Sequence, residues 1–178
     1  LQLTSDKLAS IKNIYIKILE TINKNIFINT EGGFKNPDKV TYHERFGWVV
    51  NIGNDKAFLG KLSILENTVL KIGRRSYISG PAIVRGGSTF EIGSYCSIAE
   101  GLYVNTSRDF HPMEYPSTVN FCENRRLIED GLSMPIEYSE FEGIKHNVIL
   151  GNDVWLGRNV QLSFGSIIGD GCIIGEKS

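Results

Sequence analysis

The chain has 178 residues, a formal net charge of −1 and three cysteines, with a pI near 6.4. This length suits one domain with a sizeable core, and the near-neutral charge argues against recruitment of nucleic acid or of an anionic membrane. No apolar run of about 18 residues occurs, so we expect no membrane-spanning helix. Three cysteines without a CxxC pair favour free thiols, and the first ten residues lack the pattern of a secretory signal, so we expect a cytoplasmic protein.

The first third of the chain, residues 1–67, combines a helical pattern with an irregular β segment. Residues 5–24 place apolar side chains on one stripe at helical spacing, which predicts an amphipathic packing helix that Ser5 or Asp6 can cap. Residues 26–66 contain short β-like runs interrupted by Gly, Asn and Pro. The stripe consists of Leu8, Ile11, Tyr15, Ile18, Leu19 and Ile22.

From Thr68 onward, aliphatic residues recur every six positions and define a second unit, residues 68–178. Glycine follows many of these anchors, and a small residue often stands four positions after them. At "RGGSTFEI" the spacing between anchors is two residues longer than six, which predicts a bulged corner. A loop from Asn105 to Asn147 also interrupts the repeat. The anchors are Ile72, Ile78, Val84, Ile92, Ile98, Val104, Leu150, Leu156, Leu162, Ile168 and Ile174.

A six-residue period fits neither an isolated helix nor a flat hairpin. Residues six apart face the same way on an extended chain, and we expect the repeated glycines to supply turn conformations between short strands. Three hexads would then form one triangular coil whose anchors point inward. Stacked coils of this kind form a parallel β-helix, so the predicted fold is all-β.

The hexads "IGSYCS", "LGNDVW" and "IGDGCI" resemble those of the hexapeptide-repeat acyltransferases, whose fold is a left-handed parallel β-helix. The pattern "IGSYCSIAEGLYV…RDFHPMEYPST…NVILGNDVWLG" is similar to the xenobiotic and polysaccharide O-acetyltransferase branch, which includes the chloramphenicol and streptogramin acetyltransferases. In that branch a loop carrying a histidine leaves the β-helix and returns into a tryptophan-containing coil. The resemblance covers about residues 68–178.

His111 lies in the interrupting loop, in "RDFHPMEYPST", and the resemblance implies that it is the catalytic base. An alcohol needs a base to accept its proton when it attacks a thioester, and histidine suits this role. Glu114, a backbone carbonyl or, as a weaker candidate, Asp109 could orient the imidazole. A Cys122 acyl intermediate is disfavoured, because no basic residue adjoins that thiol.

The resemblance also implies positions that contact acetyl-CoA, the expected co-substrate. Trp155 matches the family tryptophan beside the transfer site, although it could equally serve subunit packing. Spacing from this tryptophan carries the coenzyme contacts onto Arg158, Gly175, Glu176 and Lys177, and Ser163 and Gly165 line the same region. No metal site is expected, since His43, His111 and His146 do not form a carbonic-anhydrase-like set.

The predicted function is an acetyl-CoA-dependent O-acetyltransferase that acts on a hydroxyl of a sugar or polysaccharide precursor. The first alternative is a xenobiotic acetyltransferase of the chloramphenicol or streptogramin type, and the second is a non-catalytic β-helix scaffold. The N-terminal segment is extra relative to compact drug-modifying relatives, which favours the polysaccharide reading. The resemblance further implies a homotrimer with its active sites between neighbouring subunits.

Overall fold

The structure is a computed structural model, and it describes residues 7, 10, 13, 14, 17, 24–30, 33–37, 39–43, 47–52, 55–107, 129, 131 and 146–178. Predictions that fall on other positions, including the base His111 and the whole apolar stripe of the predicted helix, lie outside these residues. Within the predicted helix, the described residues at positions 7 to 17 and at position 24 have helical backbone and are exposed.

The described residues from Ile26 onward form short strands, and Glu129 has helical backbone. The strands are β1 (Ile26–Thr30), β2 (Gly33–Lys35), β3 (Lys39–His43), β4 (Gly47–Ile52), β5 (Asp55–Leu59), β6 (Leu62–Ile64), β7 (Val69–Ile72), β8 (Tyr77–Ile78), β9 (Ala82–Arg85), β10 (Thr89–Ile92), β11 (Ser97–Ile98), β12 (Leu102–Asn105), β13 (Val148–Leu150), β14 (Trp155–Leu156), β15 (Gln161–Leu162), β16 (Ile167–Ile168) and β17 (Ile173–Ile174).

These strands form three sheets that the chain visits in turn. Sheet A has the order β16-β13-β10-β7-β1-β2, sheet B the order β17-β14-β11-β8-β5-β4-β3, and sheet C the order β15-β12-β9-β6. From β7 onward each strand pairs in parallel with the strand three elements later. One circuit through A, B and C is therefore one coil of a parallel β-helix, and the predicted all-β fold is confirmed. The left-handed winding of the β-helix stays an expectation from the family resemblance.

The predicted anchors stack on one another inside the column. Ile72 pairs with Ile92, which pairs with Leu150, and equivalent ladders join Ile98 to Leu156 in sheet B and Val104 to Leu162 in sheet C. Nine anchors, from Ile72 to Leu162, are buried, and Ile168 and Ile174 are partly buried against them. Full burial of each such side chain stabilises the fold by about 1.5–3 kcal/mol.

The repeat glycines stand where neighbouring coils touch, so the turn role predicted for them is wrong. A Cβ on Gly73 would lie 2.5 Å from the carbonyl carbon of Gly93, and a Cβ on Gly93 would meet the backbone of Gly151. Positive φ angles fall two residues later instead, at Arg75 (59°) and Tyr95 (65°) among others. Glycine is needed here because it allows close backbone approach.

The first coil is built from residues that precede Thr68. Strand β1 pairs in parallel with β7, β5 with β8, and β6 with β9, while β4 and β3 extend sheet B as antiparallel strands. The sheets thus cross position 67, and the division of the chain there stays a prediction.

The longer spacing between anchors occurs at two corners. Eight positions separate Ile64 from Ile72 as well as Val84 from Ile92, and Gly86 and Gly87 both have positive φ at the second of these corners.

Candidate functional site

Trp155 projects outward from sheet B. Its strand neighbour Leu156 is fully buried, so the alternation of a strand turns the indole away from the core, where 55% of it is exposed. Trp155 pairs with Ser97 on one side and with Ile173 on the other. The tryptophan therefore stands on a sheet surface with one neighbour toward each end of the column.

Four other predicted coenzyme contacts gather where the chain passes from sheet B to sheet C, which we call the B–C corner (residues 157–159 and 175–177). The backbone N–H of Lys177 donates to the carbonyl oxygen of Arg158 at 2.8 Å, and Gly175 directly follows Ile174 of β17. Arg158 thus lies on the coil of Trp155 itself, and Gly175, Glu176 and Lys177 lie on the adjacent coil, on the Ile173 side of Trp155.

The charged groups of this corner are exposed and paired. Arg158 Nε lies 3.3 Å from a carboxylate oxygen of Glu100, and Lys177 Nζ lies 3.6 Å from that of Glu176. Exposed pairs of this kind contribute at most about 1 kcal/mol. A ligand phosphate could therefore take over either cation at little cost.

Ser163 and Gly165 do not join this group. They lie in the turn from sheet C to sheet A, which we call the C–A corner, one sheet away from the B–C corner. Both the N–H and the hydroxyl of Ser166 donate to the carbonyl oxygen of Ser163, at 3.2 and 2.7 Å. Gly165 has a φ of 73°, and the ring of Phe164 beside it stacks on His146 at 6.1 Å.

The loop that carries His111 leaves and re-enters at the same C–A corner. The N–H of His146 donates to the carbonyl oxygen of Thr106 at 3.0 Å. Asn147 Oδ1 accepts hydrogen bonds from the Ser88 hydroxyl at 2.8 Å and from the Thr89 N–H at 3.3 Å. The first bond joins the two ends of the loop, and the bonds to Asn147 tie its returning end to the residues at the start of β10. His111 itself lies outside the described residues.

The described part of the chain contains no metal-binding cluster, and its buried thiol, Cys96, is not activated. No group of three or more His, Cys, Asp or Glu side chains with metal-binding geometry occurs among the described residues. Cys96 is buried and donates to the carbonyl oxygen of Gly151 at 3.1 Å. Burial raises the pKa of this thiol, so it stays protonated and unreactive at neutral pH.

Sequence reasoning missed Tyr77 and Ser97, which lie on the same outward ladder as Trp155. It also missed Glu100, the partner of Arg158. The six-residue period could have indicated Tyr77 and Ser97, because each stands one position before an anchor, as Trp155 does.

The fold and the exposed tryptophan define a parallel β-helix protein with a solvent-exposed aromatic ring beside one corner. The chain is 29% identical over 144 residues to a chloramphenicol acetyltransferase of Klebsiella aerogenes, an alignment of 70% of this chain and 65% of that protein. It is 35% identical over 96 residues to a "Probable macrolide acetyltransferase" of Lysinibacillus sphaericus, an alignment of 52% of this chain and 49% of that protein.

A chloramphenicol acetyltransferase of Agrobacterium fabrum is 31% identical over 100 residues, covering 52% of this chain and 43% of its own length. The chain thus spans less than two thirds of the length of each of these relatives. No protein-family model matches the chain. The resemblance to xenobiotic acetyltransferases, indicated by the hexads and the tryptophan-containing coil, is confirmed by these relatives.

Proposed function

We propose that the protein is an acetyl-CoA-dependent O-acetyltransferase whose acceptor is a hydroxyl group of a small, drug-like molecule. The observation that carries this proposal is the exposed Trp155 beside a corner with two exposed cations, in a chain whose relatives are named acetyltransferases. The sequence favoured a polysaccharide acceptor. The relatives favour the xenobiotic alternative, because each is named for an antibiotic.

In the proposed reaction the imidazole of His111 accepts the proton of the acceptor hydroxyl while its oxygen attacks the thioester carbonyl carbon. The tetrahedral intermediate then breaks its carbon–sulfur bond, and the coenzyme thiolate takes the proton back from the imidazolium. The products are the acetate ester and free CoA. Such general base catalysis contributes roughly 10²–10⁴-fold to the rate.

The coenzyme would run along the B–C corner. Arg158 and Lys177 would exchange their exposed carboxylate partners for the phosphates of CoA. Gly175 carries no side chain, so its backbone could be approached closely by the pantetheine arm. Trp155 would cover the thioester end.

A homotrimer is part of the proposal. Ser163 and Gly165 stand at a different corner from Trp155 and Arg158, with sheet C between them. If both groups contact the coenzyme, a neighbouring subunit could bring the second group to it, which fits active sites between columns. Among the described residues, no helix is long and apolar enough to cross a membrane, and a cytoplasmic location stays a prediction.

The decisive experiment measures acetyl transfer from acetyl-CoA to chloramphenicol, to a macrolide and to a panel of sugars and oligosaccharides. We expect transfer to a drug acceptor, and we expect His111→Ala to lower turnover by at least about 10²-fold while the circular dichroism spectrum is unchanged. Transfer only to sugars would restore the polysaccharide reading. A protein that binds no CoA and acetylates nothing would support the scaffold alternative.

A further inference from the structure

Sheet B carries a ladder of outward side chains in register. Tyr77 pairs with Phe58 on one side and with Ser97 on the other, and Ser97 pairs with Trp155. The strand neighbours of all four residues, Leu59, Ile78, Ile98 and Leu156, are buried. The ladder members therefore all point away from the core, and none of them carries a charge.

Ser97 interrupts this ladder of large rings. Tyr77 and Trp155 are 41% and 55% exposed, whereas the residue between them is small and half-buried. Since neighbouring strands lie about 4.8 Å apart, the strands that bear the two rings are about 9.6 Å apart. Because Ser97 has a much smaller side chain than its two neighbours, this spacing allows a notch between the rings, which we call the Ser97 slot: Tyr77 and Trp155 would form its walls and Ser97 its floor.

The width of the Ser97 slot matches one inserted planar ring. A ring placed midway would lie about 4.8 Å from each wall, within the separation of about 4.5–7 Å that aromatic pairs prefer. The floor supplies one hydroxyl that can donate or accept a hydrogen bond. The slot offers no cation that would pair with an anionic group, and its two rings can stack on a neutral aromatic ring.

We propose that the Ser97 slot binds an aromatic ring of the acceptor between Tyr77 and Trp155; this inference rests on the proposed function. Trp155 then separates two ligands. The coenzyme lies on its Ile173 side, where Gly175 and Lys177 follow along the chain, and the acceptor ring lies on its Ser97 side. The acceptor hydroxyl is thereby held beside the thioester that the tryptophan covers.

The test compares Tyr77→Ala with Phe58→Ala as a matched control, since Phe58 is an equally exposed ring (42%) on the next strand and is not a wall of the slot. We expect Tyr77→Ala to raise the KM for chloramphenicol about tenfold, as loss of a stacking contact predicts, without changing the KM for acetyl-CoA. Phe58→Ala should change neither. The effect of Tyr77→Ala should vanish for an acceptor in which the nitrophenyl ring is replaced by hydrogen.

A second pair of variants tests the floor. Ser97→Leu fills the slot and should abolish acceptor binding, whereas Ser97→Ala leaves it open and should retain binding. Equal effects of Tyr77→Ala and Phe58→Ala, or an unchanged KM, would overturn the inference. So would a lower molar mass of Tyr77→Ala in light scattering, because the ladder would then be a subunit contact.

Ring binding is also measured without turnover, by saturation-transfer NMR with chloramphenicol and the CoA-loaded protein. If the wild type binds the ring through Tyr77 but transfers no acetyl group, the slot stands and the proposed function fails. If it transfers the acetyl group while Tyr77→Ala binds as tightly as the wild type, the proposed function stands and the slot is overturned.

Discussion

At the scale of single residues, the glycine after each anchor sets how closely two coils can approach. A Cβ on Gly93 would meet the backbone of Gly151, which cannot move without separating the coils. We predict that Gly93→Ala lowers the free energy of unfolding by at least about 2 kcal/mol, since overpacking in a rigid interior costs roughly this much. Urea unfolding measures the change, and the adjacent Ser94→Ala, which adds no atom, should stay within about 0.5 kcal/mol of the wild type.

The same residues show where sequence reasoning succeeds and where it stops. The anchors were predicted correctly because a buried position demands an apolar side chain, and the demand recurs with the coil. The structural role of Gly73 and Gly93 was predicted wrongly, because the sequence alone does not distinguish a glycine needed for its φ angle from one needed for close backbone approach. Left-handed backbone occurs at Arg75 and Tyr95, residue types that give no such signal.

At the scale of elements, each two-residue strand has one inward and one outward side chain, and the inward one is the more buried. In β14 these are Leu156 and Trp155. We predict that Leu156→Ala leaves a cavity and lowers the free energy of unfolding by about 2–5 kcal/mol, whereas Trp155→Ala changes it by less than about 1 kcal/mol.

Trp155→Ala should instead weaken binding of acetyl-CoA, measured by calorimetry, while Leu156→Ala, assayed well below its unfolding midpoint, should retain it. Comparable destabilisation by both variants would show that the indole packs against a second chain. That result would move Trp155 from the proposed coenzyme contacts to the subunit interface.

Element prediction was less complete before Thr68. Strands β1, β5 and β6 continue the sheets of the column, yet their stretch of chain was interpreted as irregular. The reason is that β3 and β4 intervene as antiparallel strands and break the six-residue period. The candidate site was also predicted only in part. The hexads predicted the outward position of Trp155. The ion pair between Arg158 and Glu100 could not be predicted, because it joins two coils and the sequence does not give the register in which they stack.

At the scale of the whole molecule, the column is a linear array in which each coil is hydrogen-bonded to the coils on either side. The coil of residues 89–105 illustrates this: Tyr77 N–H donates to its Cys96 carbonyl at 3.0 Å, and its own Ser97 N–H donates to the Val154 carbonyl at 2.9 Å. Stability in such an array is a sum of coil and nearest-neighbour contributions. A local change should therefore fade with distance along the column.

We accordingly predict a gradient of hydrogen exchange after a single cavity is introduced. Leu156→Ala should speed amide exchange most in 148–162 and next in 89–105, the coil that stacks directly on it through β11 and β14. It should have the smallest effect in β4, which is joined to the column through β5. Mass spectrometry of peptides from the three regions reads the gradient. Uniform acceleration would instead mean that the column unfolds as a single cooperative unit, because only global opening exposes all three regions at once.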